Sequence, residues 1–273
     1  MAFENGQWVT KTETISAQAA PGLLLVRNAY STCNPIDGIV HDGSREEGNR
    51  LGREGCGTII SVGEGADAGL LGKNIAFLSA SAWAQYQTLN PKDEDTHILI
   101  LEEGTDLSTA AAAMINPLTV IGQLDIIRKK GSKAFVADAA ASSLNKMLIQ
   151  LCSQEGGDIQ SINVVRKEEQ AKNLREQYGV KHVILQDSPT FEAELKASIA
   201  ELKPLIFFEV VGGDSPTTVP MFLAMPPKST TVIVGYLTHT PVLIDTGHIL
   251  FTGKSITAFL IFHWLKEISA DEK

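Results

Sequence analysis

The sequence predicts an α/β protein: a β-rich N-terminal part followed by a doubly wound parallel sheet. Three observations carry this prediction. Residues Lys133 to Arg166 read as strand, turn, helix, strand. Beyond them apolar strands alternate with helices as far as Phe262. Ahead of them, short apolar strands are separated by glycine-rich turns.

The central unit sets the pattern. Lys133-Ala-Phe-Val-Ala137 is a short apolar run, followed by the small residues Ala139, Ala140, Ala141, Ser142 and Ser143. Leu144, Met147, Leu148 and Leu151 then recur at three- and four-residue spacing, the mark of a helix with one buried face. Gly156-Gly157 end that helix, and Ser161 to Arg166 supply the second strand. A small-residue turn at this point can seat a nucleotide pyrophosphate against a helix N-terminus. The G-x-G-x-x-G fingerprint is missing, and Asn145 stands where a small residue would let helix and strand approach closely. By pattern alone, a nucleotide-binding unit and a βαβ unit that binds nothing both stay open.

Upstream, Leu23–Arg27, Gly57–Val62, Asn74–Leu78, Trp83–Leu89 and His97–Leu101 read as strands of a small barrel or sandwich. Asp106 or Ser108 can cap an alanine-rich turn, and Asn116-Pro117 is expected to break it before a helix from Leu118 to Lys130. Downstream, helix Lys167–Tyr178 leads to strand His182–Leu185, and helix Phe191–Leu202 to strand Leu205–Val211. Thr230–Val234 and Ile256–Phe262 complete six strands.

A chain of 273 residues holds one large or two modest domains. Its net charge of −9 argues against a nucleic-acid surface, which needs basic clusters. No apolar run approaches membrane-spanning length. Cys33, Cys56 and Cys152 are odd in number and widely separated, which fits a reducing compartment. Met1 to Gln18 carries Glu4 and Glu13 and lacks a long apolar core or an arginine-rich face, so no cleaved targeting segment is expected. Mitochondrial and cytoplasmic locations both stay open.

Six motifs in order extend the prediction: Cys33-Asn-Pro-Ile-Asp37; Gly52-Arg-Glu-Gly-Cys-Gly57 with Val62-Gly63; Asn116-Pro-Leu-Thr119; Val165-Arg-Lys-Glu-Glu-Gln170; Val211-Gly-Gly213; and Gly253-Lys-Ser-Ile-Thr-Ala-Phe259. Together they resemble the medium-chain dehydrogenase/reductase superfamily, specifically its zinc-free quinone and enoyl reductase branch. The resemblance implies a GroES-like barrel domain over 1–115, a Rossmann-type domain over 116–273, and an active site between them.

It also implies site residues. Zinc-dependent relatives carry ligands where this chain has Asn34 and Arg53, and an arginine cannot ligate zinc, so no metal is expected. Arg166 and Lys167 end the second strand, where NAD-specific relatives have an acid, and they suit the 2′-phosphate of NADP(H). Thr119, Ala140, Ser142, Gly212, Gly213, Gly235, Tyr236 and Phe259 match positions that line the cofactor. Two residues oppose binding. An ionised Asp138 beside a pyrophosphate would cost up to about 4 kcal/mol at an effective dielectric near 20, and Asn145 crowds the helix start.

The catalytic candidates are Asn34, His41 and Arg45. Arg45 stands where enoyl reductases place a tyrosine proton donor, and it could polarise a carbonyl while His41 donates a proton. Relatives also continue beyond the strand near Phe259, and the edge strand 255–262 is the one they pair across a two-fold axis, so a protein partner is expected there. These departures lead to the expectation of a catalytically lapsed relative serving as a structural subunit, for example of a mitochondrial respiratory complex. The alternatives are an active zinc-independent NADPH-dependent reductase of quinones or α,β-unsaturated carbonyls, and an NADPH sensor without turnover.

Overall fold

The structure is a computed structural model and describes residues 2–5, 7–38, 50–155, 159–213 and 215–268. The chain divides into two compact units, Met1–Pro117 and Leu118–Lys273.

In the first unit, β1 (Ala2–Glu4) and β2 (Gln7–Val9) form an antiparallel hairpin. Next come β3 (Leu24–Ser31), a single turn α1 (Pro35–Gly38), β4 (Glu54–Val62), β5 (Asn74–Leu78), β6 (Tyr86–Leu89), β7 (His97–Ile100) and the short α2 (Leu107–Ala110). Strands β6-β3-β4-β5-β7 make a five-stranded antiparallel sheet. Leu24, Val26, Ile59, Ile75, Phe77 and Leu89 are fully or almost fully buried on its inner face. Gly57 pairs with Asn28 beside a bulge in β3, and a Cβ there would lie 2.3 Å from the carbonyl oxygen of Arg27. Only glycine lets the two backbones come this close. The strand expected from Trp83 begins only at Tyr86, because the Trp83 indole turns in to donate to the Thr32 carbonyl at 2.7 Å.

Helix α3 (Ile115–Lys129) starts upstream of Pro117 rather than after it. Proline in a first helical turn removes an N–H that has no helical partner there, so no break follows.

The second unit alternates β8 (Ala134–Ala137), α4 (Ser143–Glu155), β9 (Gln160–Val165), α5 (Glu168–Tyr178), β10 (His182–Leu185) and α6 (Phe191–Leu202). It continues with β11 (Ile206–Glu209), α7 (Thr218–Ala224), β12 (Thr230–Ile233), α8 (Thr246–Thr252), β13 (Ser255–Ala258) and α9 (Ile261–Glu267). All pairings in its sheet are parallel, in the order β10-β9-β8-β11-β12-β13. Every residue of the central strands β8 and β11 is buried, as strands covered on both faces must be. Phe135 and Phe208 meet edge-on between them, ring centres 5.7 Å apart.

The expected edge strand 255–262 is shorter than the sequence predicts. Pairing to β12 ends at Ala258, and Ile261 and Leu265, one helical turn apart, bury the start and end of α9 instead. The apolar run is continuous, but its second half is satisfied by helical packing.

Gly57→Ala is expected to destabilise the protein by about 2 kcal/mol, because β3 and β4 must separate to admit the methyl group. Urea unfolding of wild type and variant checks this; an unchanged midpoint would contradict the close approach.

Candidate cofactor site

Because every strand of the second unit is parallel, the loop that follows each strand lies at the same edge of the sheet. Ala140 and Ser142 follow β8, Arg166 and Lys167 follow β9, Gly212 and Gly213 follow β11, Gly235 and Tyr236 follow β12, and Phe259 follows β13. In strand order the sheet is third, second, first, fourth, fifth, sixth, so winding reverses between β8 and β11. That reversal opens a crevice at the carboxyl ends of these two strands, the general ligand position in such sheets.

The turn from β8 into α4 is held by its own backbone and side chains. Ala140 N–H donates to the Val164 carbonyl (3.2 Å), Ser142 N–H to the Ala139 carbonyl (2.9 Å), and the Ser142 hydroxyl accepts from Asn145 N–H (3.3 Å). Ala139 takes a left-handed conformation, φ 42°. Asn145 is buried, and its amide donates to the Ala140 carbonyl and to Asn163 Oδ1, both at 2.8 Å. Asn163 in turn donates to Ser161 Oγ at 2.8 Å. The expected obstacle at Asn145 is therefore a hydrogen-bonded tie between helix and sheet. A side-chain amide that donates twice takes the place of the missing small-residue contact.

Asp138 requires a second correction. It follows β8 directly, is 2% exposed, and faces Glu209, the last residue of β11 and equally buried. Asp138 Oδ1 accepts from Val210 N–H at 2.9 Å, while Oδ2 is buried with no hydrogen-bond donor. Glu209 Oε1 accepts from Gly212 N–H and, at 3.5 Å, from the Thr218 hydroxyl. Burial, the charge of Glu209 and hydrogen bonding towards it push Asp138 well above the ordinary carboxylate range. Burial also raises Glu209, against the backbone N–H groups of Gly212 and Val211. Burial beside a second carboxyl favours the protonated form of Asp138, whereas the expected obstacle to a pyrophosphate assumed the ionised one. Glu209 escaped the sequence reading; its signal was a lone acid ending the run Leu205-Ile-Phe-Phe208 just before Val210-Val-Gly-Gly213.

Arg166 and Lys167 are exposed. Gln170 Oε1 accepts from both their backbone N–H groups at 3.1 Å, which fixes the loop and leaves both side chains without an ion pair to a described residue. The glycines serve packing between loops: a Cβ on Gly213 would meet the Pro241 carbonyl oxygen at 1.8 Å, and one on Gly235 the Val210 carbonyl oxygen at 2.8 Å. Tyr236 is half-exposed beside His239, ring centres 5.5 Å apart. Phe259 is buried against Gly122 and Trp264, and Thr119 is buried on α3.

In the first unit, Asn34 belongs to a separate polar cluster. Its amide donates to Thr32 Oγ1 and Glu54 Oε1, both at 2.8 Å, so only its carbonyl oxygen is left for a ligand. Glu54, 1% exposed, also accepts from Thr32 Oγ1 (2.9 Å) and from the N–H groups of Met114 (3.1 Å) and Ile115 (2.8 Å), where α3 begins. Asp37 accepts from Asn34 N–H at 2.7 Å, and burial raises its carboxyl above the usual range. The other two catalytic candidates, His41 and Arg45, lie outside the described residues. Among the described residues no group of three or more His, Cys, Asp or Glu could hold a metal ion, and no helix is long and apolar enough to cross a membrane.

No protein-family model matches the chain. A solved structure from Mesorhizobium loti, provisionally assigned as an NADPH:quinone reductase, superposes with a TM-score of 0.82 at 31% identity, covering 93% of this chain and 74% of that one. The chain belongs to the medium-chain dehydrogenase/reductase superfamily. Its parallel and antiparallel sheets match the two-domain fold of that superfamily member. The mitochondrial enoyl-[acyl-carrier-protein] reductase of Dictyostelium discoideum is 24% identical over 284 residues, spanning 96% of this chain and 76% of that protein. A mitochondrial 2-enoyl thioester reductase heterodimer from Candida tropicalis shares the fold at a TM-score of 0.73 and 21% identity, covering 93% of this chain and 78% of that one.

The carboxyl pair makes a prediction for stability. The folded pKa of Asp138 lies above its unfolded value, so the native state holds a proton that the unfolded state releases once pH passes about 4. Stability should therefore be highest in acid and fall as pH rises towards the folded pKa, by at most about 1.4 kcal/mol per pH unit for one proton. Asp138→Asn, which keeps the acceptor for Val210, should flatten that slope; chemical denaturation from pH 5 to 9 measures it.

Proposed function

We propose that the chain is a metal-free, NADPH-dependent reductase of quinones or α,β-unsaturated carbonyls. The observation that carries this is the basic pair Arg166–Lys167 at the carboxyl end of β9, without an ion pair to any described residue, beside the point where the sheet reverses. Arg166 and Lys167 supply cations for a 2′-phosphate, and the N-terminus of α4, a helix of 13 residues, supplies backbone N–H groups for a pyrophosphate. Burial and the neighbouring Glu209 raise Asp138 towards its protonated form, so the two carboxyls carry less than two full charges, which lessens the objection to an anionic ligand. When bound, the dinucleotide supplies the hydride. The substrate class follows the names of the M. loti and D. discoideum relatives. Both locations weighed from the sequence remain compatible, and the D. discoideum relative is mitochondrial.

A second reading, a cofactor-free structural subunit, is favoured by the glycines. Gly213 and Gly235 are already filled against Pro241 and Val210. Under either reading a partner chain, a second copy or another protein, pairs with β13. All four of its residues are exposed, and Leu250 and Phe251 stand 76% and 87% exposed on α8 just ahead of it.

Calorimetry separates the readings. Wild type should bind NADPH more tightly than NADH, and the double variant Arg166→Ala/Lys167→Ala should lose at least about tenfold in NADPH affinity while its NADH affinity holds. Absence of binding for either nucleotide would overturn the reductase and leave the structural subunit. Native mass tests the edge: Ile256→Lys on β13 should shift the protein to a monomer, and an unchanged assembly would place the partner elsewhere.

A further inference from the structure

Asp138, directly after β8, and Glu209, the last residue of β11, lie at the carboxyl ends of the two neighbouring strands between which the winding reverses, where such sheets bind their ligands. Both are 2% exposed. Among the described residues, the groups that act on them include no cation. Asp138 meets the backbone N–H groups of Val210 and Val211 and the carboxyl of Glu209. Glu209 meets the N–H groups of Val211 and Gly212, the Thr218 hydroxyl and Asp138. From β9, the other neighbour of β8, the residues opposite its end are Asn163, whose amide is engaged with Ser161, and the apolar Val164. From α4, Asn145 points to Asn163 and Ala140. The orphaned Asp138 Oδ2 is the atom left to carry a proton.

We propose that this pair makes dinucleotide binding proton-linked: the crevice accepts an anionic cofactor with one proton held between Asp138 and Glu209, and loss of that proton expels it. The proposal rests on the cofactor reading above. With the proton in place the pair carries a single negative charge spread over two carboxyls and tied to backbone N–H groups. Without it, two full charges share a dry site with no counter-ion among the described residues, and a phosphate-bearing ligand adds to the repulsion. Affinity should therefore fall as pH rises, approaching one decade per pH unit above the pair's own titration. The geometry gives the pair a role beyond holding the loop: it reports pH to the site.

The test is NADPH binding by calorimetry between pH 7 and 9, above the range where the ligand's own phosphate titrates, near pH 6. Wild type is compared with Asp138→Asn and Glu209→Gln in buffers of different ionisation enthalpy. Asparagine at 138 keeps the acceptor for Val210 and places a permanent donor where the proton sits. Wild type should weaken by about tenfold or more across the range and take up a proton on binding. Asp138→Asn should bind with the affinity wild type shows at its acid limit, without slope and without proton uptake. Glu209→Gln should also lose the slope. Binding that is equally pH-dependent in wild type and Asp138→Asn, or flat in wild type, would overturn the proton linkage and leave the cofactor reading standing. Absence of binding in all three proteins would overturn both.

Discussion

The second unit depends on one constraint: β8 pairs in parallel with β9 on one side and β11 on the other. Parallel neighbours need crossovers that return the chain to the same end, so each strand delivers its following loop to one edge. Residues far apart in sequence, Ala140, Arg166, Gly212 and Tyr236, reach that edge because of this rule alone. The reversal at β8 and β11 then leaves a gap between loops that diverge. The site is a consequence of winding before it is a consequence of any side chain.

Buried carboxyls are handled in two ways in this chain. Glu54 is surrounded by donors from Thr32, Asn34, Met114 and Ile115, so its carboxyl oxygens accept four hydrogen bonds and at the same time cap the start of α3. Asp138 and Glu209 have few donors and, among the described residues, no cation, so burial raises both carboxyls towards the protonated form. The first arrangement anchors the segment carrying Asn34. The second places two titratable groups side by side at the ends of neighbouring strands. The difference lies in donor supply, which the local backbone sets.

Parts of this were legible beforehand. The small-residue run follows β8, α4 forms where the apolar spacing predicts, and the basic pair follows β9. Asn145 and Asp138 stood out in the sequence as departures, but their contacts were not legible. Asn145 finds Asn163 eighteen residues away, and Asp138 finds Glu209 on a strand that becomes its neighbour only when the sheet forms. The end of β13 misled for a similar reason, since a continuous apolar run serves strand and helix alike until packing chooses.

By itself the sequence determined the kinds and order of the elements, the membership in a two-unit α/β fold and the cationic residues after β9. Periodicity, turn residues and charge act locally, over a few neighbours. Tertiary structure alone decided which polar groups meet in the dry interior. Burial and the distance between groups set protonation and hydrogen bonding, and both depend on contacts that span the chain.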